Sequence, residues 1–220
     1  MEAPIKTRYD KAGPQVAEAL RRRRFEAHYV STAQEALDLA LTLIPKDRTV
    51  SWGGTATAAQ IGLMDRLHQG DYQLIDRDTG KTPEEKQALM RQALTCGTFI
   101  MSSNAISADG QLVNIDGNAN RVAALCYGPE SVLVIAGMNK VMGDLDSAIA
   151  RARQVAAPAN AQRFPGLKTP CAVTGSCGDC TSPDCICCQM VITRSVVPPD
   201  ASRSFWWART WAFKAKEGFS

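Results

Sequence analysis

Ser131-Val132-Leu133-Val134-Ile135-Ala136 is an unbroken apolar run. A strand with one wet face alternates apolar and polar residues. A run that is apolar at every position fits a strand covered on both faces, the usual state in a parallel sheet. Its surroundings agree. Upstream, Thr98 to Ser102 and Leu112 to Ile115 read as strands, with the turn signal Asp109-Gly110 between them, and Asn120 to Tyr127 reads as a short helix. Downstream, Asp144 to Ala156 has a helical pattern.

The same alternation extends to the N-terminal side. Asp10 to Phe25 reads as a helix through Val16, Ala19 and Leu20, and Ala27 to Val30 as a short strand. Ser31 or Thr32 caps the next helix. Glu35 is placed for a capping box, Ala36, Leu37, Ala40, Leu41 and Ile44 form the apolar face, and Pro45 ends it. Thr49 to Trp52 is a strand, Thr57 to Leu67 a helix and Tyr72 to Ile75 a strand. Thr82 caps a helix starting at Pro83. Strands alternating with helices predict an α/β, Rossmann-like fold: a mostly parallel sheet with flanking helices.

In such a sheet, ligands sit beyond the carboxyl ends of the strands. Three loops occupy that position. Gly53, Gly54 and Thr55 leave a strand and enter a helix, where backbone N–H groups can approach an anion; Thr57 adds a hydroxyl. The loop is neither a Walker A sequence nor a complete G-x-G-x-x-G. A capped strand–helix turn is the plainer alternative. Asn114-Ile115-Asp116-Gly117-Asn118-Ala119-Asn120-Arg121 brings one carboxylate, three amides and one guanidinium into a turn. Asp116 there is a candidate base and Arg121 a candidate anion clamp, against an Asx-turn with a helix cap. Gly137-Met138-Asn139-Lys140 follows the apolar strand and offers the Lys140 cation, and Ser102-Ser103-Asn104 adds polar contacts. His28 and His68 support no nucleophilic triad.

Six of the eight cysteines, Cys171, Cys177, Cys180, Cys185, Cys187 and Cys188, crowd into the stretch CAVTGSCGDCTSPDCICC. Cys177-Gly-Asp-Cys180 has a spacing at which two thiolates can share a metal or an iron–sulfur cluster. Redox-active thiols, unliganded thiols and, in an oxidising compartment, a disulfide framework are the alternatives. Cys96 and Cys126, in apolar segments, read as core residues. The segment MEAPIKTRYDKAG has no apolar signal-peptide core, and no stretch is apolar enough for a membrane span, so a cytoplasmic, thiol-reducing setting is expected. The net charge of +3 is modest. The run Arg21 to Arg24 has no interleaved aromatics, so it reads as a solvated helix end, with no nucleic-acid partner.

The motifs Ser51-Trp52-Gly53-Gly54-Thr55, Leu74-Ile75-Asp76-Arg77-Asp78 and Met101-Ser102-Ser103-Asn104-Ala105-Ile106 resemble the LUD-domain family, the lactate-utilisation protein C-like group. So do Asp109-Gly110 leading to Asn114-Ile115-Asp116-Gly117-Asn118, Arg121-Val122-Ala123-Ala124, Ala136-Gly137-Met138-Asn139-Lys140-Val141, Ala157-Pro158 and Thr169-Pro170-Cys171. The resemblance spans roughly residues 5–195. It implies a fold similar to the NagB/RpiA/CoA-transferase superfamily, whose members bind phosphorylated sugars, CoA thioesters or nucleotides. It also implies a role in oxidising L-lactate to pyruvate alongside iron–sulfur electron-transfer proteins; the alternatives are a non-catalytic metabolite-binding protein with structural zinc, or an isomerase- or transferase-like enzyme on phosphorylated or CoA-linked substrates. Asp116-Gly117 resembles the acidic catalytic loop of the superfamily's sugar-phosphate isomerases, and with the loop reading above Asp116, Arg121 and Lys140 are the expected catalytic residues. Gly53, Gly54, Thr55, Asn104, Gly117, Asn118 and Asn120 are expected to bind a small anionic metabolite. Cys171, Cys177, Cys180 and Cys187 are the expected metal ligands, for zinc or a [4Fe–4S] cluster; the choice between them, and self-association as a homo-oligomer, stay open. The expected organisation is an α/β core at 1–160, a cysteine-rich segment with a final strand at 161–197, and a Trp-rich basic tail at 198–220. Similar proteins end in an apolar strand-like segment; Phe205, Trp206, Trp207, Trp211 and Phe213, mixed with Arg203, Arg209, Lys214 and Lys216, depart from that. The tail reads as aromatics packed on the domain or as a contact surface.

Overall fold

The computed structural model describes residues 3–197 and the backbone of 207–213. In chain order, helix α1 (Ala3–Arg22) leads to strand β1 (Glu26–Tyr29), α2 (Ala33–Leu43), β2 (Thr49–Trp52), α3 (Ala56–Gln60), α4 (Leu63–Gln69), β3 (Gln73–Ile75), α5 (Pro83–Gln92) and β4 (Thr98–Met101). Then come β5 (Ala105–Ser107), β6 (Leu112–Asp116), α6 (Asn120–Cys126), β7 (Ser131–Gly137), β8 (Val141–Met142), α7 (Leu145–Arg151), α8 (Ala157–Ala161), α9 (Pro170–Thr174), β9 (Gln189–Thr193) and β10 (Trp207–Phe213).

The main sheet has six parallel strands in the order β1-β10-β7-β4-β2-β3. β7 lies inside it, and its side chains divide between two cores. Val132, Val134 and Ala136 join Val16, Ala17 and Leu20 of α1 with Phe99 and Met101. Leu133 and Ile135 join Ala36, Leu37 and Ala40 of α2 with Leu63, Leu67, Val50 and Ile100. The apolar run is thus explained by helices on both faces, as expected for a parallel sheet.

A second, four-stranded sheet has the order β8-β5-β6-β9, with β5–β6 and β6–β9 antiparallel. β5 starts only a few residues after β4 ends, so 102–104 join the two sheets. The hairpin between β5 and β6 turns at Gly110, whose φ is +91° and where a Cβ would stand 2.8 Å from the backbone of Ala19 and Leu20. Only glycine meets both conditions. Ala105, Val113 and Ile115 pack on Ala148 and Ala152.

Several boundaries differ from the sequence expectation. α1 begins at Ala3, not Asp10, and runs through Pro14. The helix expected over 57–67 is broken, because Gly62 takes a left-handed φ of +78° between α3 and α4. The helix expected over 144–156 does not stop there. α7 continues through a π-helical stretch, Ala152–Ala156, into α8. That widened turn sits just before Pro158, whose ring would collide with the preceding turn of a regular α-helix. Trp207–Phe213 forms β10, between β1 and β7. Arg203, Phe205, Trp206, Lys214 and Lys216 lie outside the described residues.

The basic run has structural partners. Arg21 donates to Ala27 O at 2.9 Å, Arg23 holds Asp109, and Arg24 reaches Ser195 Oγ at 3.2 Å. Among the described residues, no helix is long and apolar enough to cross a membrane.

The capping box on α2 is present in full. Glu35 N donates to Thr32 Oγ1 at 3.1 Å, and Glu35 Oε2 accepts from Ser31 N and Thr32 N at 2.9 and 3.0 Å. Thr32→Ala should therefore lower the unfolding free energy by about 1 kcal/mol in equilibrium urea denaturation.

Candidate anion-binding site

β2, β4 and β7 are parallel and end side by side. The residues that follow them meet where the two sheets join. Lys140, in the turn after β7, donates from Nζ to Ser102 Oγ at 2.7 Å and to Thr57 Oγ1 at 3.2 Å. Ser102 follows β4, and Thr57 lies in the first turn of α3. Burial, together with the neighbouring guanidinium groups of Arg151 and Arg121, pushes the Lys140 amine down from 10.5 to about 8. Desolvation and like charge both disfavour the ammonium form.

Arg121 underlies the site. Its Nη1 donates to Ser102 O at 3.0 Å and Asn114 Oδ1 at 2.7 Å; its Nη2 donates to Asn104 Oδ1 at 3.0 Å and Ile115 O at 2.6 Å. All four terminal N–H groups thus have protein acceptors. The side chain is 12% exposed, and Nε stands 3.8 Å from Asp116 Oδ2. Gly53 makes room for the stem, since a Cβ there would fall 2.9 Å from Arg121 Cδ. Arg121 lends a fixed charge and holds the loops, rather than offering a free bidentate fork. Asp116 Oδ2 accepts from Arg121 N and Val122 N at 3.1 and 3.2 Å, which makes Asp116 the cap of α6 as well as the counter-ion of Arg121.

Arg151, at the end of α7, donates from Nε to Asn139 O at 3.2 Å and from Nη1 to Asn104 O. Asn104 therefore ties Arg121 and Arg151 together. Three cations gather here with one carboxylate, and among the described residues neither Lys140 nor Arg151 has an ion-pair partner. Asn114 is fully buried, and among the described residues its Nδ2 has no hydrogen-bond partner. An unpaired buried amide N–H is costly, and it marks a place where a ligand group or water belongs.

Thr55 caps α3 by accepting from Ala58 N at 3.3 Å. Gly53 N continues the sheet ladder to Ile100 O at 3.0 Å. α3 has only five residues, so its dipole adds little for an anion. Arg77 Nη2 lies near Gly54, 3.6 Å from where a Cβ would stand.

The cysteine segment packs beside this site, with Ile186 against Gly117: a Cβ on Gly117 would meet Ile186 Cα at 3.2 Å. Burial and the adjacent thiols of Cys185, Cys171 and Cys177 push Cys187 up to about 12. Cys185 in turn neighbours Cys180 and Cys188. A cleft of about 370 Å³ lined by Ile149, Arg153, Cys177 and Asp179 opens beside it. The donor set, all thiol, suits a soft metal. The positions as they stand do not form a preassembled centre: among the described residues no group of three or more Cys, His, Asp or Glu side chains converges on one point.

The LUD domain family model matches residues 13–201. The chain belongs to the LUD domain family. Among solved structures, this LUD domain is similar to a DUF162 family protein from Deinococcus radiodurans, at 11% identity and a TM-score of 0.49, over 93% of this chain and 96% of that one. It is also similar to ribose 5 phosphate isomerase A from Neisseria gonorrhoeae, at 13% identity and a TM-score of 0.34, over 51% and 54% of the two chains. No curated protein matches it.

Of the residues expected from sequence, the LUD domain brings Lys140, Arg121, Asp116, Asn104 and Gly53 into one network. Gly54 and Thr55 border it. Asn118 is exposed, and Gly117 faces the cysteine segment rather than the cations. Asn120 opens α6. Sequence reasoning missed Arg151 and the unpaired amide of Asn114. Arg151 looks like any basic residue at a helix C-terminus, and only the fold turns it toward Asn104.

Proposed function

We propose that this LUD-domain chain binds a small anionic metabolite at the carboxyl ends of β2, β4 and β7. On this proposal it serves organic-acid utilisation in the cytoplasm, the oxidation of L-lactate to pyruvate beside iron–sulfur electron-transfer proteins. The observation that carries the binding step is the Lys140 ammonium, held by Ser102 and Thr57 beside two arginines and, among the described residues, lacking a carboxylate of its own. An incoming anion relieves the like-charge repulsion and restores the proton on Lys140. Arg121 and Asn104 hold the loops in place. The role in lactate oxidation rests on the family likeness.

Titration calorimetry with L-lactate, pyruvate and inorganic phosphate tests the site. Binding should take up a proton near pH 8 and weaken with added salt. Lys140→Met should lower affinity by roughly 10- to 100-fold, the worth of one charge-assisted hydrogen bond. Equal affinity in wild type and variant would remove Lys140 from the site.

The cysteine segment is a separate part of the proposal. Cys171, Cys177, Cys180 and Cys187 would bind zinc or a [4Fe–4S] cluster only by drawing together as the metal enters, a common coupling of metal binding to local folding. Metal and acid-labile sulfide analysis of anaerobically purified protein decides it. Iron with sulfide places the chain in electron transfer, zinc alone makes the segment a clasp, and neither in fully reduced protein removes the ligand assignment.

A further inference from the structure

We infer that Ser102 and Lys140 form a nucleophile–base pair that transfers the acyl group of a negatively charged ester or thioester to water. The inference rests on the anion site and shares Lys140 with it: the charged end of the substrate goes to Arg151, away from Lys140, and the chemistry runs through the fraction of Lys140 that is neutral. Ser102 Oγ and Lys140 Nζ are 2.7 Å apart, and Thr57 Oγ1 holds the same Nζ at 3.2 Å. A serine beside a lysine that can shed its proton is a known alternative to a serine–histidine arrangement. The next residue makes the contrast plain. Ser103 Oγ lies 2.7 Å from Ala105 O and 3.1 Å from Val113 O, so its hydroxyl is tied to backbone. The hydroxyl of Ser102 has no backbone acceptor closer than Ser103 O, at 3.5 Å.

The third component is Asn114. Its Oδ1 and the Ser102 carbonyl accept from the same Arg121 Nη1, at 2.7 and 3.0 Å, so Arg121 bridges the Asn114 amide to the Ser102 backbone. Its Nδ2 is a buried donor without a partner among the described residues. A developing oxyanion requires a preorganised N–H donor, and in this inference the Asn114 amide takes that part. Arg151 keeps Nη2 unengaged among the described residues, which leaves one guanidinium edge for the charged end of the substrate.

The step balances without an oxidant. Neutral Lys140 Nζ takes the Ser102 Oγ proton as Oγ bonds to the acyl carbon. The carbonyl oxygen, now negative, is met by Asn114 Nδ2–H. The bond to the alcohol or thiol breaks, and the Lys140 ammonium returns its proton to the leaving group. Water then attacks the acyl-Ser102 ester with Lys140 again as base, and the free acid departs. The groups facing Lys140 are Arg121 from α6, Arg151 from α7, and the Thr57 and Ser102 hydroxyls. With a Lys140 value of about 8, the rate should rise with pH and level off above that point.

The test uses the full chain with 4-nitrophenyl hydrogen succinate. A burst of about one nitrophenolate per chain is expected, with a succinyl group on Ser102 found by peptide mass mapping. Neutral hydroxylamine strips acyl groups from the cysteines and leaves a serine ester in place. Ser102→Ala should abolish the label. Lys140→Arg, which keeps the charge but cannot act as the base, should slow labelling by about 100-fold or more. A label that hydroxylamine removes, a label on Ser103, or no label in protein that binds phosphate by calorimetry would overturn the pair and leave the anion site standing. A Ser102 label in protein without measurable anion affinity would uphold the pair and remove the anion site.

Discussion

Arg121→Met should lower the unfolding free energy by about 3–5 kcal/mol, the usual loss when one partner of a buried charge pair is removed. The reason lies in the acceptors left behind. Ser102 O, Asn114 Oδ1, Asn104 Oδ1 and Ile115 O would all lose their donor, and Asp116 its counter-ion. These atoms belong to the β4–β5 link, β6 and the entry to α6, so the loss falls on the joint between the two sheets. Water can reach few of them, because the side chains of both Arg121 and Asp116 are only 12% exposed. Equilibrium urea unfolding measures the change. For a chain of this size it corresponds to a fall of roughly 10 °C in Tm. Arg121→Lys keeps the charge but supplies three donors for four acceptors, and should fall between the two. A loss under about 1 kcal/mol in Arg121→Met would mean that the network contributes little to the fold.

The second large effect depends on pH. Lys140 has an ordinary value of 10.5 and a folded value of about 8, so between those limits the unfolded chain binds the proton that the folded chain has released. Stability rises with pH wherever the unfolded state holds more protons. Below pH 8 the amine is charged in both states, and its unfavourable placement acts in full. As pH climbs from 8 to 10.5 that cost disappears, a change of roughly 3 kcal/mol at 1.36 kcal/mol per pH unit. Other groups titrate here in the opposite sense. Cys96, Cys187 and Tyr29 are each pushed up to about 12 in the folded chain, so stability is lost as the unfolded state gives up those protons first. They are common to wild type and Lys140→Met, so the difference between the two isolates Lys140. That difference should shift in favour of wild type by up to about 3 kcal/mol across the window. Saturating phosphate should abolish the shift, because a bound anion keeps the proton on the folded chain. A pH-independent difference would mean that Lys140 is not depressed.

The parallel core was legible because its cause is local. A run such as 131–136 has no polar residue to turn toward water, and each capping box lies within four residues of chain. The three loops at the strand ends were legible for the same reason, through their glycines and polar residues. What escaped depends on distance in the chain. Arg121 reads as a free clamp until four acceptors from 102 to 115 are seen to occupy it. Arg151 reads as a helix-end cation until the fold brings it to Asn104. β5 escaped because its Ala-Ile-Ser is too short to show a period. β10 escaped because Trp, Ala, Arg and Thr mixed together resemble a surface tail, whereas a strand needs only a matching pair of neighbours.

The place of β10 bears on the order of assembly. Glu26 of β1 pairs with Arg209, near the opposite end of the sequence, and Ser131 of β7 pairs with Trp207 on the other side. β1 therefore has no lasting seat in the sheet until residues 207–213 arrive. While the chain is being synthesised, α1 can already pack on β7, but β1 must wait through the emergence of every other strand, with an open sheet edge on β7. Such distant pairing makes folding slow, and the waiting edge is the point at which two nascent chains would exchange strands.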